Sequence, residues 1–195
     1  MGEGSIPYRV ALTIGYELPF GPGRPLLSSG LAGKVIGGWS IQGITSIQGG
    51  PYVTAIMPSD TMGVGSTADF RPNAIQNPNL PTAQRTVQRW FNTSAFVAPP
   101  QYTYGNAGRS IVQAPGIFNV DLAVLRFFPI TEHSRFELRL EAYDATNHPN
   151  FGLPGLGFGT ATFGVIGSTL GGSVSAGGTG AGLGRQVQIG ARITF

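Results

Sequence analysis

Apolar and polar side chains alternate along several stretches of this chain. Residues 8–18 place Tyr8, Val10, Leu12, Ile14, Tyr16 and Leu18 on one side and Arg9, Ala11, Thr13, Gly15 and Glu17 on the other, the period of a β-strand, whose successive side chains point to opposite faces. Residues 39–48 are less regular, with Trp39, Ile41, Gly43, Thr45 and Ile47 set against Ser40, Gln42, Ile44, Ser46 and Gln48. Residues 117–127 set Val120, Leu122 and Val124 against Asn119, Asp121 and Ala123. Residues 135–145 set Phe136, Leu138, Leu140 and Ala142 against Arg135, Glu137, Arg139, Glu141 and Tyr143. The last ten residues set Val187, Ile189, Ala191, Ile193 and Phe195 against Gln186, Gln188, Gly190, Arg192 and Thr194. The pattern predicts an all-β chain, an antiparallel meander of about five long strands in which sequence neighbours pair and 187–195 is the last strand.

Strands of about ten to twelve residues are long for a water-soluble sheet, where roughly five or six is usual. They fit a bilayer: a membrane strand tilted about 45° needs roughly 9 to 11 residues, apolar toward lipid and polar toward the lumen. Arg9, Glu17, Asp121, Arg135, Glu137, Arg139, Glu141 and Arg192 all fall on the polar rows, which makes them the expected lumen-facing charges. A soluble sandwich would present the same rows as its wet face.

The connections carry a second signal. Only 128–134, with Pro129, separates the third and fourth strands, whereas 49–116 and 146–185 are long. Outer-membrane barrels alternate short periplasmic turns with long extracellular loops in this way. The segment 19–38 is the exception, too long for a short turn, and its Pro-Phe-Gly-Pro-Gly-Arg-Pro start reads as a Pro/Gly turn series. Residues 152–184 are so rich in Gly, Ser, Thr and Ala that a mobile, irregular loop is expected there.

Composition narrows the class. Gly (31) and Pro (15) make about a quarter of the 195 residues, which argues against a helical protein. No apolar run approaches the roughly 18 to 20 residues of a membrane-spanning helix. Charged residues are 11% of the chain, where soluble domains carry roughly 25%. The net charge of +3 comes from scattered residues with no basic run, so no nucleic-acid partner is expected. With no cysteine, disulfides, thiolate zinc sites and cysteine nucleophiles are all removed. The opening residues lack the basic start of a signal peptide, so an exported protein would have a longer precursor.

No residue set points to catalysis, metal or cofactor. The glycines of 155–159 and 178–184 complete neither a dinucleotide fingerprint nor a phosphate-binding loop, and no strand–helix–strand unit surrounds them. His133 and His148 fall in turns at opposite ends of one strand, too far apart to share an ion. No Gly-x-Ser-x-Gly elbow gives the serines a catalytic setting, and Asn92-Thr93-Ser94 is a glycosylation tripeptide that a bacterial protein would leave unused. Arg135, Glu137, Arg139 and Glu141 form a ladder of alternating sign, open to two readings: a substrate path, or a charge network that satisfies itself across strands inside a lumen.

The end of the chain, Gln188-Ile189-Gly190-Ala191-Arg192-Ile193-Thr194-Phe195, resembles the assembly signal of bacterial outer-membrane proteins, with Gln188, Gly190, Ile193 and the terminal Phe195 as its marks. Such an amphipathic edge strand can pair with an assembly machinery by strand addition. Further stretches lie in order along nearly the whole chain: 16–21 (Tyr-Glu-Leu-Pro-Phe-Gly), 37–39 (Gly-Gly-Trp), 49–52 (Gly-Gly-Pro-Tyr), 71–73 (Arg-Pro-Asn), 90–96 (Trp-Phe-Asn-Thr-Ser-Ala-Phe), 104–109 (Tyr-Gly-Asn-Ala-Gly-Arg), 119–122 (Asn-Val-Asp-Leu) and 147–152 (Asn-His-Pro-Asn-Phe-Gly). Together they resemble the C-terminal end of the barrel of TonB-dependent receptors of the Oar-like type.

The resemblance implies one partial β-barrel domain over 1–195, without the plug and without the signal peptide of that family. It implies a location in the bacterial outer membrane and a non-enzymatic role in passage of a bulky solute. The implied partners are outer-membrane lipid, the barrel assembly machinery, the remaining strands and plug of the receptor, and TonB acting through that plug. The alternative is a stand-alone structural or binding β-protein of the cell envelope that oligomerises to bury its apolar faces.

Overall fold

The computed structural model describes residues 4–61, 63–65, 70–170 and 184–195. It divides into two compact bodies. One holds the long strands, spanning 10–47, 118–149 and the described residues from 184 onward. The other is built from the start of the chain with 48–117 and 150–170.

The strand body is an antiparallel sheet of five strands, all placed by the alternation described above. They are β1 (Arg9–Glu17), β2 (Trp39–Gln48), β7 (Ile117–Pro129), β8 (Arg135–Tyr143) and β9 (Gln186–Thr194), in the order β1-β2-β7-β8-β9. Hydrogen bonds from Leu18 N to Trp39 O and from Gly49 N to Tyr8 O, both 2.9 Å, fix the β1/β2 register at its two ends. The sheet is a meander of sequence neighbours, as the pattern predicts.

Strand ends differ from the alternation by a residue or two, for local reasons. β7 runs on to Pro129, opposite Arg135, since a proline costs nothing at the end of a ladder where no N–H is needed. The turn closes by Ile130 N and Thr131 N donating to Ser134 O at 2.9 and 3.1 Å. β8 stops at Tyr143 because Asp144 and Asn147 take positive φ (48° and 51°), a conformation tolerated by these two residue types and incompatible with a ladder.

The connection 19–38 is more than a turn series. Its first half is one, with Gly21 N bonded to Leu26 O at 3.0 Å. Its second half is a short helix, α1 (Gly30–Ile36). Gly21 and Gly37 let the two halves cross: a Cβ on Gly37 would stand 2.4 Å from both Gly21 Cα and Gly33 O. Glycine content concealed this helix in the sequence, since Gly33 within it and Gly37 after it serve close backbone contact.

The second body contains two small antiparallel pairs, β3 (Tyr52–Val53) with β6 (Val112–Gln113) and β4 (Asn73–Ala74) with β5 (Phe96–Val97). The rest is irregular, as expected, yet it is packed around a core of Val53, Phe91, Ala95, Phe96 and Val112 with Leu156, Phe158 and Phe163 against it. Phe91 and Phe163 meet edge to face at 5.1 Å, a favourable aromatic geometry. Residues 152–170 were expected to be a mobile loop, and here the structure corrects the sequence reading. Leu156, Phe158 and Phe163 anchor the segment in the core, and Ile56 N bonds to Leu156 O at 2.9 Å. A few apolar residues outweigh a glycine-rich background when they share one cluster. Residues 171–183 of that expected loop lie outside the described residues.

Candidate functional site

The register sorts the sheet into two faces. Across β7, β8 and β9 the apolar row pairs Leu122 with Ala142 and Val187, Val124 with Leu140 and Ile189, and Phe128 with Phe136 and Ile193. Large apolar side chains on this face, Val10, Leu12, Ile14, Leu140 and Ile189 among them, are exposed although hydrophobic. A contiguous apolar surface of that kind needs a non-aqueous neighbour. From Tyr8 to Leu18 the row is about 33 Å long at about 3.3 Å per residue, or about 23 Å of height at a 45° tilt, close to the roughly 25 Å apolar band of membrane barrels.

The opposite rows carry the charges. Glu137 lies opposite Phe127 and Arg192, Arg139 opposite Leu125 and Gly190, Glu141 opposite Ala123 and Gln188, and Arg135 opposite Pro129 and Thr194. The ion pairs run along β8 itself: Arg139 Nε lies 3.4 Å from Glu141 Oε1 and 3.8 Å from Glu137 Oε1. Across strands, Gln188 donates through Nε2 to Glu141 Oε2 at 2.5 Å, and within β8 Tyr143 donates its hydroxyl proton to the same oxygen at 3.3 Å. The salt bridges thus run inside one strand with a neutral amide as the cross-strand partner, and Arg139 Nε, within ion-pair distance of both glutamates, makes no hydrogen bond. Arg135 stacks over the Phe127 ring at 5.4 Å.

The remaining expected lumen charges lie on the same rows. Arg9 and Glu17 occupy the two ends of β1, both exposed, and Glu17 is held by Arg24 of the following turn. Asp121 also has a second role. It is on the polar row but only 8% exposed, and its Oδ1 accepts hydrogen bonds from Asn119 Nδ2 and from Asp144 N, both at 2.9 Å. Asp121 is therefore a structural acceptor at the end of β8, because the turn after Tyr143 brings a backbone donor onto it.

Between the polar rows lies a depression of about 520 Å³, lined by Thr13, Gln42, Asp121, Arg139, Glu141 and Tyr143 among others. Its lining combines the charges of Asp121, Arg139 and Glu141 with the apolar side chains of Ile14, Ile44 and Leu122. Among the described residues no group of three His, Asp or Glu is placed to hold a metal ion, and no helix is long and apolar enough to cross a membrane.

The assembly-signal residues divide between the faces, Gln188 and Gly190 on the polar row and Ile193 on the apolar row. Gly190 leaves space beside Arg139, whose Cβ would stand 3.9 Å from a Cβ added there. Phe195 follows the last paired residue and is 91% exposed. One residue escaped the sequence reading: Arg126 lies opposite Leu138, the single charge on the apolar face of these five strands. The parity of Val120, Leu122 and Val124 carries on to 126, so the signal was present in the sequence.

The motifs behind the resemblance act as joints. Asn73 and Asn106 exchange bonds, each side-chain oxygen accepting a backbone N–H at 2.8 Å, from Asn106 itself and from Ala74. A Cβ on Gly105 would stand 1.9 Å from Arg71 O, so 71–73 and 104–109 lock backbone to backbone. Trp90 donates from Nε1 to Gln113 O at 2.9 Å, and its ring is 6.3 Å from that of Phe151.

A long antiparallel sheet with one exposed apolar face and one charged face is the wall of a membrane β-barrel. The sequence pattern of the outer membrane beta barrel domain matches residues 3–188, and the chain belongs to that family, in the bacterial outer membrane. No curated protein and no solved structure matches the chain.

Proposed function

We propose that this chain is the C-terminal part of the barrel of a TonB-dependent receptor of the Oar-like type. In this reading it contributes wall and extracellular loops to the passage of a bulky solute and catalyses no reaction. Its partners are then lipid, the barrel assembly machinery, the upstream strands, and a plug that TonB engages.

The observation that carries the reading is the direction of the two edge strands. With five antiparallel strands, β1 and β9 run the same way. Copies of the chain inserted with one orientation would meet edge to edge in parallel, whereas membrane barrels are antiparallel throughout. The exposed edges call instead for an odd number of strands of other sequence, as a larger barrel would supply, because unpaired backbone groups are costly in lipid. By the same resemblance, 128–134 and 19–38 lie on the periplasmic side and the connections that follow β2 and β8 lie outside the cell.

Photo-crosslinking from Ala11 on β1 in bacterial outer membranes tests the reading. Adducts with strands of a polypeptide that also carries a plug and TonB box are expected. Adducts between copies of this chain alone would favour the stand-alone oligomer.

A further inference from the structure

The connection between β1 and β2 presents apolar side chains at one end of the sheet. Leu31, Val35 and Ile36 of α1 are 82%, 66% and 46% exposed, and Leu26 and Leu27 before it are exposed too. These residues form no part of the strand body's polar wall, and their exposure to water would be unfavourable at roughly 25 cal/mol per Å² of apolar surface.

The position of α1 comes from Arg126. That guanidinium donates to Val35 O in the last turn of the helix. Arg126 is on the apolar face, stacked 5.6 Å from the Trp39 ring and 4.3 Å from the Phe128 ring. Phe128 in turn lies 5.8 Å from Phe136 on the neighbouring strand. The helix thus adjoins the lipid-facing side of the wall, at a row of aromatic residues with one arginine. Aromatic residues of this kind mark the membrane–water boundary, and an arginine there keeps its charge at the headgroups while its stem and neighbours stay apolar.

We propose that 26–36 is an interfacial anchor, with the apolar side chains of α1 inserted among the phospholipids of the adjoining leaflet and Arg126 at their phosphate level. Arg126 ties the helix to the aromatic end of the apolar face, and 19–38 contains no acidic residue that headgroup phosphates would repel. Short helices that lie in the interface bury an apolar side in this manner. The assignment to the periplasmic leaflet rests on the orientation proposed above; contact with lipid does not.

These 195 residues hold no cysteine, so a single spin label can be placed within them, in the protein as it stands in outer membranes, without first replacing a native thiol here. Labels on Leu31→Cys and Val35→Cys, compared with Leu140→Cys on the wall and His133→Cys in the β7–β8 turn, report collision with dissolved oxygen or with a water-soluble nickel complex. The expected result is oxygen preference at 31 and 35, matching 140 and reversed at 133. Adding Arg126→Gln should cut that preference at 35 while leaving 140 unchanged. Nickel access at 31 and 35 with 140 still in lipid would overturn the anchor, and so would shielding from both reagents, which would mean a protein cover. Nickel access at 140 would instead overturn the barrel wall itself.

Discussion

Asp121 accepts the backbone N–H of Asp144 at 2.9 Å, joining β7 to the turn that follows β8. Asp144 passes the organisation on, its Oδ1 accepting from His148 N at 3.1 Å, while Asn147 Oδ1 accepts from Arg185 N at 3.0 Å just before β9. Two motif stretches, 119–122 and 147–152, are thereby parts of one hydrogen-bonded junction. Removing a buried acceptor leaves its donors unsatisfied, at about 1–3 kcal/mol. Asp121→Ala is expected to lose about that much stability in denaturant unfolding, and Asp121→Asn, which keeps an oxygen acceptor, clearly less. Equal losses would assign the role to the charge and not to the acceptor.

The two tryptophans report on different bodies, Trp39 on the strand sheet and Trp90 on the loop body. Phe91 is 1% exposed at the centre of the aromatic cluster. Phe91→Ala should cost about 3–5 kcal/mol, the range for truncating a buried phenylalanine. We expect Trp90 fluorescence, read in a Trp39→Phe background, to show an earlier transition. Trp39 fluorescence, read in a Trp90→Phe background, should keep its midpoint. A matching shift at Trp39 would mean that the two bodies unfold as one.

How much of this was legible follows from what each element depends on. β1, β8 and β9 carry a strict alternation because one face is apolar throughout, and their ends were readable within a residue or two. Glu137, Arg139 and Glu141 share one row of β8 for the same reason. Asp121 is on the row that parity gives, but parity does not tell what covers a side chain, and the Asp144 N–H that it accepts arrives from a turn with positive φ. The loop body was hidden because its core joins Phe91 and Phe96 of one short stretch to Phe163 of a segment far along the chain, with no period to reveal them. α1 was hidden because Gly33 and Gly37 read as loop residues, while in the structure they admit a backbone crossing.

The faces themselves are testable at neighbouring positions on β8. Leu140 is on the exposed apolar row, and Arg139 is on the polar row between two glutamates. Leu140→Arg near mid-strand should cost about 2–4 kcal/mol of stability in lipid. Arg139→Gln removes partly exposed ion pairs, each worth roughly 0–1 kcal/mol, and should cost less. Heat-modifiable gel mobility of outer-membrane fractions, followed by urea titration, measures both. Equal tolerance would place the apolar row in water or in a protein core.

Phe195 and Gln188 separate assembly from stability. β9 is paired with β8 from Gln186 to Thr194, so deleting Phe195 removes no ladder bond and only a 91% exposed ring. Gln188→Ala, by contrast, removes the amide that Glu141 accepts. If the terminal aromatic is read by the assembly machinery, the Phe195 deletion should lower the folded fraction in the outer membrane far more than it lowers unfolding free energy in lipid vesicles. Gln188→Ala should lower stability by about 1 kcal/mol or less, and its assembly defect should be no smaller, since it also alters the signal. The checking measurement is the ratio of the two losses, with inserted protein counted by membrane fractionation and stability taken from refolded samples. A Phe195 deletion whose insertion defect is fully matched by its loss of stability would mean that the ring acts only as an interface anchor.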